Sequence, residues 1–309
     1  MPKIFVALST FAQEGNEPLD MLNSSGHSFS VNKSGKRLTK DDVMTQARGF
    51  DGIIAGLEPY DTEVLKVLPG LKCISRCGVG VDNVDLIKAK KANITVLNTP
   101  VVVVQPVAEL TIAMIMDLLR QLTRHSILMH EKKWERRTGN LLSGKKVGII
   151  GLGRIGRRVA ELLRAWDIDV WGADIHPDLI WAKQKNVKIM PLEQLLAQAD
   201  IVTLHLSVSD EHPFCLGKKE INSMKKGAFL VNVSRGALVD EPALFEALQN
   251  DHLAGAGLDV YAQEPYNGLL CDLPNVVLTP HVATLTQESR LAMEIEATQN
   301  IINFFNRRN

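Results

Sequence analysis

The sequence has 309 residues, of which 45% are hydrophobic and 23% charged, proportions typical of a globular protein of about two domains. Its 35 basic and 35 acidic side chains give zero formal net charge, which argues against holding a nucleic acid or an anionic membrane through overall charge. No apolar run reaches the roughly 20 residues that a membrane span needs. The four cysteines have no metal-ligand spacing, and the N-terminus is unlike a signal peptide. We expect no metal, free thiols and a cytoplasmic location.

Short β-type runs alternate with helical segments in the first third of the chain. Strands are predicted at KIFVAL, DGIIAG, LKCISR and ITVLN, and helices near Thr39–Ala47, Asp61–Leu68 and Asp85–Lys91. Such repetition is typical of parallel strands joined by crossover helices. We therefore predict an open α/β sheet here.

A long apolar segment, PVAELTIAMIMDLLRQL, begins at Pro106 and follows this set of strands. It is apolar on nearly every face, so we expect a helix that is buried on both sides, between domains or against a second subunit.

The middle of the chain repeats the strand–helix pattern more sharply. Strands are predicted at KKVGIIG, DVWGAD, DIVTLHL, AFLVNVS, AGAGLDV and NVVLTPH, with helices at Arg154–Trp166, Leu192–Gln198 and Glu241–Asn250. Six strands with intervening helices match a dinucleotide-binding domain.

The chain ends with a helical pattern from about Thr286 to Phe305. Thr284 and Gln287 have the spacing of a capping box at its start. We expect this helix to return to the first domain.

A glycine-rich motif, GLGRIG, lies between a predicted strand and a predicted helix, the context that a dinucleotide site requires. Gly151 permits the tight turn, Gly153 lets the backbone approach a pyrophosphate, and Gly156 allows close packing of the helix. Asp174 ends the next strand, where a carboxylate accepts hydrogen bonds from ribose and repels a 2′-phosphate. The motif predicts NAD rather than NADP; the alternative is a turn that binds no nucleotide.

Three ionisable residues, Arg235, Glu264 and His281, each lie beside a turn at the end of a predicted strand. Ligands of open α/β sheets bind at that edge. Histidine can exchange the proton of an alcohol, a carboxylate can hold its tautomer, and arginine can bind a substrate carboxylate. Singly, each residue has a structural alternative: an interface histidine for His281, and an ion pair for Arg235 with Glu264. Their order after a dinucleotide motif favours a dehydrogenase.

These motifs resemble the D-isomer-specific 2-hydroxyacid dehydrogenases, through GLGRIG, NVSRGALVDE, AGLDVYAQEP and TPH. SRCGVGVDNVDL, NTP with VAELT, and KKWER are most similar to the 3-phosphoglycerate dehydrogenase branch. The resemblance implies two doubly wound parallel-sheet domains, with a Rossmann coenzyme domain inserted in a flavodoxin-like substrate domain. The expected ranges are 1–98 for the first part of the substrate domain, 99–281 for the NAD-binding domain and 282–309 for the returning helix.

The resemblance also implies roles for individual residues and a homodimer that forms through the coenzyme domain. Arg235, Glu264 and His281 would be catalytic, and the Val79–Gly80 backbone would bind the substrate carboxylate. Arg76, with Arg136 from a partner subunit, would bind a substrate phosphate; surface solvation is the alternative for Arg136. NAD would contact the three motif glycines and Arg154, Ile155, Asp174, Ser234 and Asp259.

Some positions depart from the family pattern. Four valines, Val101–Val104, replace a polar loop after NTP, Ser207 replaces a frequent proline, and Val-Ala follows His281 where an apolar residue and glycine are common. From the length of the sequence we expect no regulatory domain like that of longer phosphoglycerate dehydrogenases, and therefore no serine feedback through such a domain.

The leading prediction for the substrate is 3-phosphoglycerate, with its oxidation to 3-phosphohydroxypyruvate serving serine biosynthesis. Reduction of hydroxypyruvate, glyoxylate or another short 2-keto acid is the alternative. A nicotinamide-sensing binding protein, like the corepressors of the family, is the alternative from another class.

Overall fold

The computed structural model describes residues 1–207 and 214–307. The chain forms two compact units, one of Met1–Val103 with Thr284–Asn309 and the other of Val104–Ala283. The domain limits expected at residues 98 and 281 stay predictions, and their ranges include residues 208–213 and 308–309, which lie outside the described part of the chain.

The first unit contains, in its described residues, a five-stranded parallel sheet in the order β2-β1-β3-β4-β5. This order is that of flavodoxin-like sheets. Its strands are β1 (Lys3–Val6), β2 (Ser28–Val31), β3 (Gly52–Ala55), β4 (Cys73–Arg76) and β5 (Thr95–Leu97). Its helices are α1 (Glu17–Ser24), α2 (Lys40–Gln46), α3 (Thr62–Lys66), α4 (Leu86–Lys91) and the C-terminal α12 (Gln287–Asn306).

Helix α12 covers one face of this first sheet. Its buried residues Met293, Ala297 and Ile301 belong to the same core cluster as Ile4 and Ile54 of the strands. The hydroxyl of Ser75 also donates to the carbonyl of Ala297 at 2.7 Å. One face of the first core is therefore completed by the end of the chain.

The start of α12 corrects a detail of the sequence analysis. Thr286 is the N-cap, and its hydroxyl accepts a hydrogen bond from the N–H of Ser289 at 3.2 Å. The predicted capping box of Thr284 and Gln287 is wrong, because the helix begins two residues later than that spacing requires.

The second unit contains, among its described residues, a seven-stranded parallel sheet in the order β12-β11-β10-β9-β6-β7-β8. Six of these strands have the Rossmann order 3-2-1-4-5-6, and β12 extends the far edge. The strands are β6 (Lys146–Ile150), β7 (Asp169–Ala173), β8 (Lys188–Ile189), β9 (Ile201–Leu204), β10 (Ala228–Asn232), β11 (Leu253–Leu258) and β12 (Val276–Leu278). Together the two sheets confirm the predicted fold class.

The helices of the second unit begin with α5 (Val104–Arg120), the apolar segment of the sequence analysis. Within the single chain, Val107, Thr111 and Leu118 of α5 are buried, whereas Glu109 and Ala113 are exposed, so the expected burial of its second side, between domains or against a second subunit, stays a prediction. The remaining helices are α6 (Leu122–His130), α7 (Arg154–Arg164), α8 (Leu179–Gln184), α9 (Leu192–Gln198), α10 (Lys218–Ser223) and α11 (Glu241–Gln249). Among the helices of the described residues, none combines the length and the hydropathy that crossing a membrane requires.

Candidate active site

A glycine-rich turn joins β6 to α7 at the carboxyl edge of the second sheet. Gly151 has a φ of +94°, and a Cβ there would come within 2.6 Å of the carbonyl oxygen of His205, which follows β9. A Cβ at Gly156 would collide with the carbonyl oxygen of Gly151, whereas a Cβ at Gly153 would meet no heavy atom within 4 Å. Gly151 and Gly156 therefore shape the turn, and Gly153 leaves space for a ligand beside it.

Leu152, the middle residue of this turn, is held at three points. Its side chain packs against β7, so close that a Cβ at Gly172 would lie 2.6 Å from Leu152 Cδ1. Its N–H donates to Oδ2 of Asp174 at 2.7 Å, and its carbonyl accepts from Nε of Arg157 at 2.9 Å. The turn is thus fixed by side chains from the next strand and from the first turns of α7.

Asp174 lies at the end of β7 beside the turn, as predicted. Its second oxygen, Oδ1, accepts from the N–H of His176 at 2.8 Å. An ionised carboxylate has about four acceptor positions, so these two backbone bonds leave capacity for ribose hydroxyls.

The start of α7 supplies donors for an anion. Arg154 and Ile155 are its first two residues, and the N-cap, Gly153, has no side chain that would bond the N–H groups of the first turn. Amides at a helix N-terminus, aligned with the helix dipole, bind phosphate groups. With the open space at Gly153 and the carboxylate of Asp174, these residues fit NAD.

The segment after β10 carries Ser234 and Arg235 and is fixed by internal hydrogen bonds. Asn232 accepts from the N–H of Ser234 at 3.0 Å and donates to the carbonyl of Arg235 at 2.8 Å. The hydroxyl of Ser234 donates to the carbonyl of Leu204 at 2.6 Å, and Nη1 of Arg235 donates to the carbonyl of Ser234 at 2.7 Å. The half-buried Arg235 therefore starts from a rigid backbone at the strand edge.

Gly236 brings the Arg235 segment against the segment that leads to Glu264. A Cβ at Gly236 would collide with the backbone of Tyr261, so only glycine allows this approach. Glu241, at the start of α11, strengthens the contact by accepting from the N–H of Ala262 at 2.7 Å. Neither Gly236 nor Glu241 was predicted to shape the site, although a glycine directly after the candidate arginine was a usable signal.

The predicted pair of His281 and Glu264 forms in the structure. Nδ1 of His281 lies 2.9 Å from Oε2 and 3.2 Å from Oε1 of Glu264, so the carboxylate faces one ring nitrogen with both oxygens. The two side chains are 35% and 32% exposed, which leaves the imidazole accessible to a substrate. Since Nδ1 donates to the carboxylate, Nε2 is the nitrogen that can exchange a proton with a ligand.

Asp259 lies beneath this pair as a fully buried carboxylate. Its Oδ1 accepts from the hydroxyl of Thr279 at 2.5 Å and from the N–H of Val282 at 2.8 Å, and its Oδ2 accepts from the N–H of Ala283 at 3.0 Å. These bonds hold the backbone on both sides of His281, whose φ of +55° is uncommon for a residue with a side chain. The predicted cofactor residue Asp259 therefore also supports the histidine.

The predicted substrate residues Arg76, Val79 and Gly80 belong to the first unit. Arg76 is only 7% exposed, and its Nη1 donates to the carbonyl of Cys77. Val79 is 38% exposed at the surface, and its carbonyl accepts from the side-chain amide of Asn98 at 2.8 Å. Arg136, the second phosphate candidate, is an exposed residue of the second unit. Arg76 is thus buried within the first unit, whereas Val79 and Arg136 are exposed.

Taken together, the second sheet and its glycine-rich turn have the architecture of the dinucleotide-binding α/β class. Residues 112–283 match the family described as "D-isomer specific 2-hydroxyacid dehydrogenase, NAD binding domain". The chain belongs to this family, which confirms the predicted family, the class of enzyme and NAD as its cofactor.

Known relatives divide between two substrates. The chain is 35% identical to D-3-phosphoglycerate dehydrogenase of Archaeoglobus fulgidus over 292 residues, 93% of this chain but only 55% of that protein. It is 34% identical to glyoxylate reductase of Aeropyrum pernix, in an alignment that covers 98% of this chain and 92% of that protein. The chain thus spans about half the length of the first relative and nearly all of the second.

Solved structures extend the similarity to a third named activity. D-lactate dehydrogenase of Aquifex aeolicus, solved with NAD and lactic acid, superimposes with a TM-score of 0.86 at 26% identity, covering 98% of this chain and 95% of that one.

Proposed function

We propose that the protein transfers hydride between NAD and a short D-2-hydroxy acid or its 2-keto acid. The observation that carries this proposal is the His281–Glu264 pair, joined at 2.9 Å on the same sheet that presents the nucleotide turn. Such a pair supplies the proton exchange that alcohol oxidation requires.

In this mechanism the chain positions the substrate and moves one proton. Nε2 of His281 takes the hydroxyl proton in oxidation and returns it in reduction, while Glu264 holds Nδ1–H and stabilises the imidazolium. Arg235 binds the substrate carboxylate through charge-assisted hydrogen bonds and orients the reacting carbon. The nucleotide turn and Asp174 would hold the cofactor, which would supply the hydride acceptor as NAD in oxidation and the hydride donor as NADH in reduction.

Two single variants, His281→Ala and Glu264→Gln, test this assignment through their kcat values and their affinities for NAD. Loss of a general acid–base group lowers kcat by roughly 10²–10⁴, and we expect a fall of this size for His281→Ala, with NAD affinity unchanged. Glu264→Gln keeps the shape of its side chain and should cause a smaller loss. Turnover close to that of the unmodified enzyme in His281→Ala would refute the assignment.

For the substrate, the two candidates are 3-phosphoglycerate, which the sequence motifs favour, and an unphosphorylated acid such as glyoxylate or hydroxypyruvate. The burial of Arg76 supports the unphosphorylated class, because a side chain that is only 7% exposed offers little surface to a solvated phosphate. A role in serine biosynthesis depends on the first candidate.

Consumption of NADH with a panel of short 2-keto acids separates these candidates. We expect hydroxypyruvate or glyoxylate to be reduced with a kcat/KM at least equal to that for 3-phosphohydroxypyruvate. Arg76→Ala should then change KM for hydroxypyruvate and for 3-phosphohydroxypyruvate by similar factors. A selective rise for the phosphorylated acid would assign Arg76 to phosphate, and no consumption with any acid would favour the sensing protein.

We further propose a homodimer in the cytoplasm, formed through the second unit. Helix α6, whose residues are all described, buries none of them. Its Leu122, Ile127 and Met129 are 57%, 53% and 54% exposed, and Trp134 just beyond it is 81% exposed. Leu122 and Met129 are seven residues apart and so lie on one face of α6. Exposed apolar side chains on one face mark protein interfaces, and most soluble oligomers are homodimers.

A further inference from the structure

A second carboxylate, Asp178, lies near the ribose end of the nucleotide turn. Its Oδ2 accepts from Nη1 of Arg157 at 3.1 Å, and its Oδ1 accepts from the N–H of Trp181 at 3.0 Å as the N-cap of α8. The bond to Trp181 and the cation of Arg157 lower the pKa of the Asp178 carboxyl, so it is ionised at neutral pH.

Arg157 is tied to the same turn that Asp174 holds. Its Nε donates to the carbonyl of Leu152 at 2.9 Å, and the N–H of Leu152 donates to Asp174 at 2.7 Å. The cation and the ribose-selecting carboxylate are thus bonded to opposite ends of one residue. The guanidinium carbon also lies 4.9 Å from the ring centroid of Trp181.

The guanidinium is accessible as well as engaged. The side chains of Arg157 and Asp178 are 35% and 41% exposed, so solvent and a ligand can reach the pair. An arginine at this end of a dinucleotide site is the residue type that accommodates a 2′-phosphate. Here its charge is directed to a carboxylate of the same chain.

We propose that Asp178 is a second determinant of cofactor choice, which favours NAD over NADP by engaging Arg157. Asp174 repels a 2′-phosphate directly, and Asp178 removes the cation that would attract one. This inference rests on the proposed placement of the adenosine ribose at Asp174. It makes Arg157 a latent phosphate ligand that two carboxylates together keep inactive.

The test measures binding of 2′,5′-ADP and 5′-AMP to the purified protein by calorimetry, independently of turnover. Three variants are compared. The single variant is Asp174→Ala, the double variant adds Asp178→Asn to it, and the triple variant adds Arg157→Gln to the double variant. Asparagine retains the N-cap of α8, so Asp178→Asn removes charge without removing the cap. Asp85→Asn, at the N-cap of α4 in the first unit, replaces Asp178→Asn as the matched control.

The affinity for 2′,5′-ADP relative to 5′-AMP should rise in Asp174→Ala and rise again by roughly ten- to hundredfold when Asp178→Asn is added, the value of one charge-assisted hydrogen bond. Arg157→Gln should abolish the second rise, and Asp85→Asn should cause none. Melting temperatures verify that each variant is folded.

Failures of the two proposals are distinguishable. If Asp174→Ala leaves the relative affinity unchanged, the ribose does not lie at Asp174. The role of Asp178 is refuted if Asp174→Ala raises the relative affinity for 2′,5′-ADP but the added Asp178→Asn raises it no further. It is also refuted if the second rise persists when Arg157→Gln is added.

Discussion

At the level of single residues, the carboxylate of Asp174 has a structural role besides the selective role that we propose for it. It accepts two backbone N–H groups, from Leu152 and His176, and so fixes the loop in which it would select the ribose. A substitution of Asp174 therefore changes the charge and the geometry of the loop together. For this reason its effect is best measured as the ratio between two cofactors, which the loop geometry affects alike.

We expect the unmodified enzyme to prefer NADH strongly over NADPH, and Asp174→Ala to narrow the ratio of their kcat/KM values. The reason is that loss of the carboxylate removes repulsion of the 2′-phosphate and hydrogen bonds to the ribose hydroxyls. Affinity for NADH should fall in the same variant. Equal kcat/KM for both cofactors in the unmodified enzyme would contradict the prediction.

His205, directly after β9, is a half-buried histidine that the proposed reaction does not use. Its Nε2 lies 3.0 Å from Oγ1 of Thr203, and its Nδ1 is buried with no hydrogen-bond partner among the residues that the structure describes. Burial lowers the pKa of His205 to about 3. The folded protein therefore keeps this ring neutral at pH values where an unfolded chain would protonate it.

This difference predicts acid sensitivity. Below the ordinary histidine pKa of about 6.5 the unfolded state binds more protons than the folded state, so the free energy of unfolding falls as pH drops from 6.5 towards 3. Between pH 7 and pH 5, His205→Gln should reduce this fall by about 1–2 kcal/mol in urea titrations.

The exposed His176, which lies outside α6 and the proposed interface, provides the control for this measurement. His176→Gln should leave the pH dependence of the free energy of unfolding as it is in the unmodified protein. If His205→Gln has the same pH dependence as the unmodified protein, the imidazole of His205 does not cause the fall in the free energy of unfolding.

At the level of elements, the nucleotide turn separates two uses of glycine. Gly156 is required by packing, since a Cβ would collide with the carbonyl of Gly151, while Gly153 has open space and an extended backbone. The same motif thus contains one position that tests folding and one that tests ligand binding.

Gly156→Ala should lower the free energy of unfolding by about 1–3 kcal/mol, the usual cost of overpacking. Gly153→Ala should change it by no more than about 0.5 kcal/mol, yet weaken NAD binding because its methyl group occupies the space beside the pyrophosphate. Thermal unfolding and NAD titration measure the two effects. Unimpaired NAD binding in Gly153→Ala would show that the cofactor does not approach this glycine.

The elements also show which parts of the structure are predictable from sequence. The apolar strands were identified because burial on both faces of a sheet leaves a continuous hydrophobic run. The glycine turn was identified from its motif between a strand and a helix. Strand β2 was missed because SFSV is only half-buried, and β8 because two residues carry no periodic pattern. The histidine–glutamate pair followed from strand-end positions, whereas Gly236 and Arg157 act through tertiary contacts that no local pattern encodes.

At the scale of the whole molecule, the exposed apolar surface of α6 and Trp134 predicts the assembly. Met129→Glu should place a charge in the proposed interface and shift the mass measured by sedimentation from that of a dimer to that of a monomer. The control is Ile87→Glu, which changes a 71% exposed residue of the first unit and should leave the dimer intact. A monomeric unmodified protein would refute the interface.

The return of α12 to the first sheet has a consequence for synthesis on the ribosome. The β-strands of the first unit emerge first, but the helix that covers one of their faces follows only after all of Val104–Ala283. At about 5–20 residues per second, that interval lasts roughly 10–40 s. During this time Ile4, Ile54 and Cys73 are not yet packed against α12. The nascent chain therefore exposes an apolar surface to which a chaperone can bind.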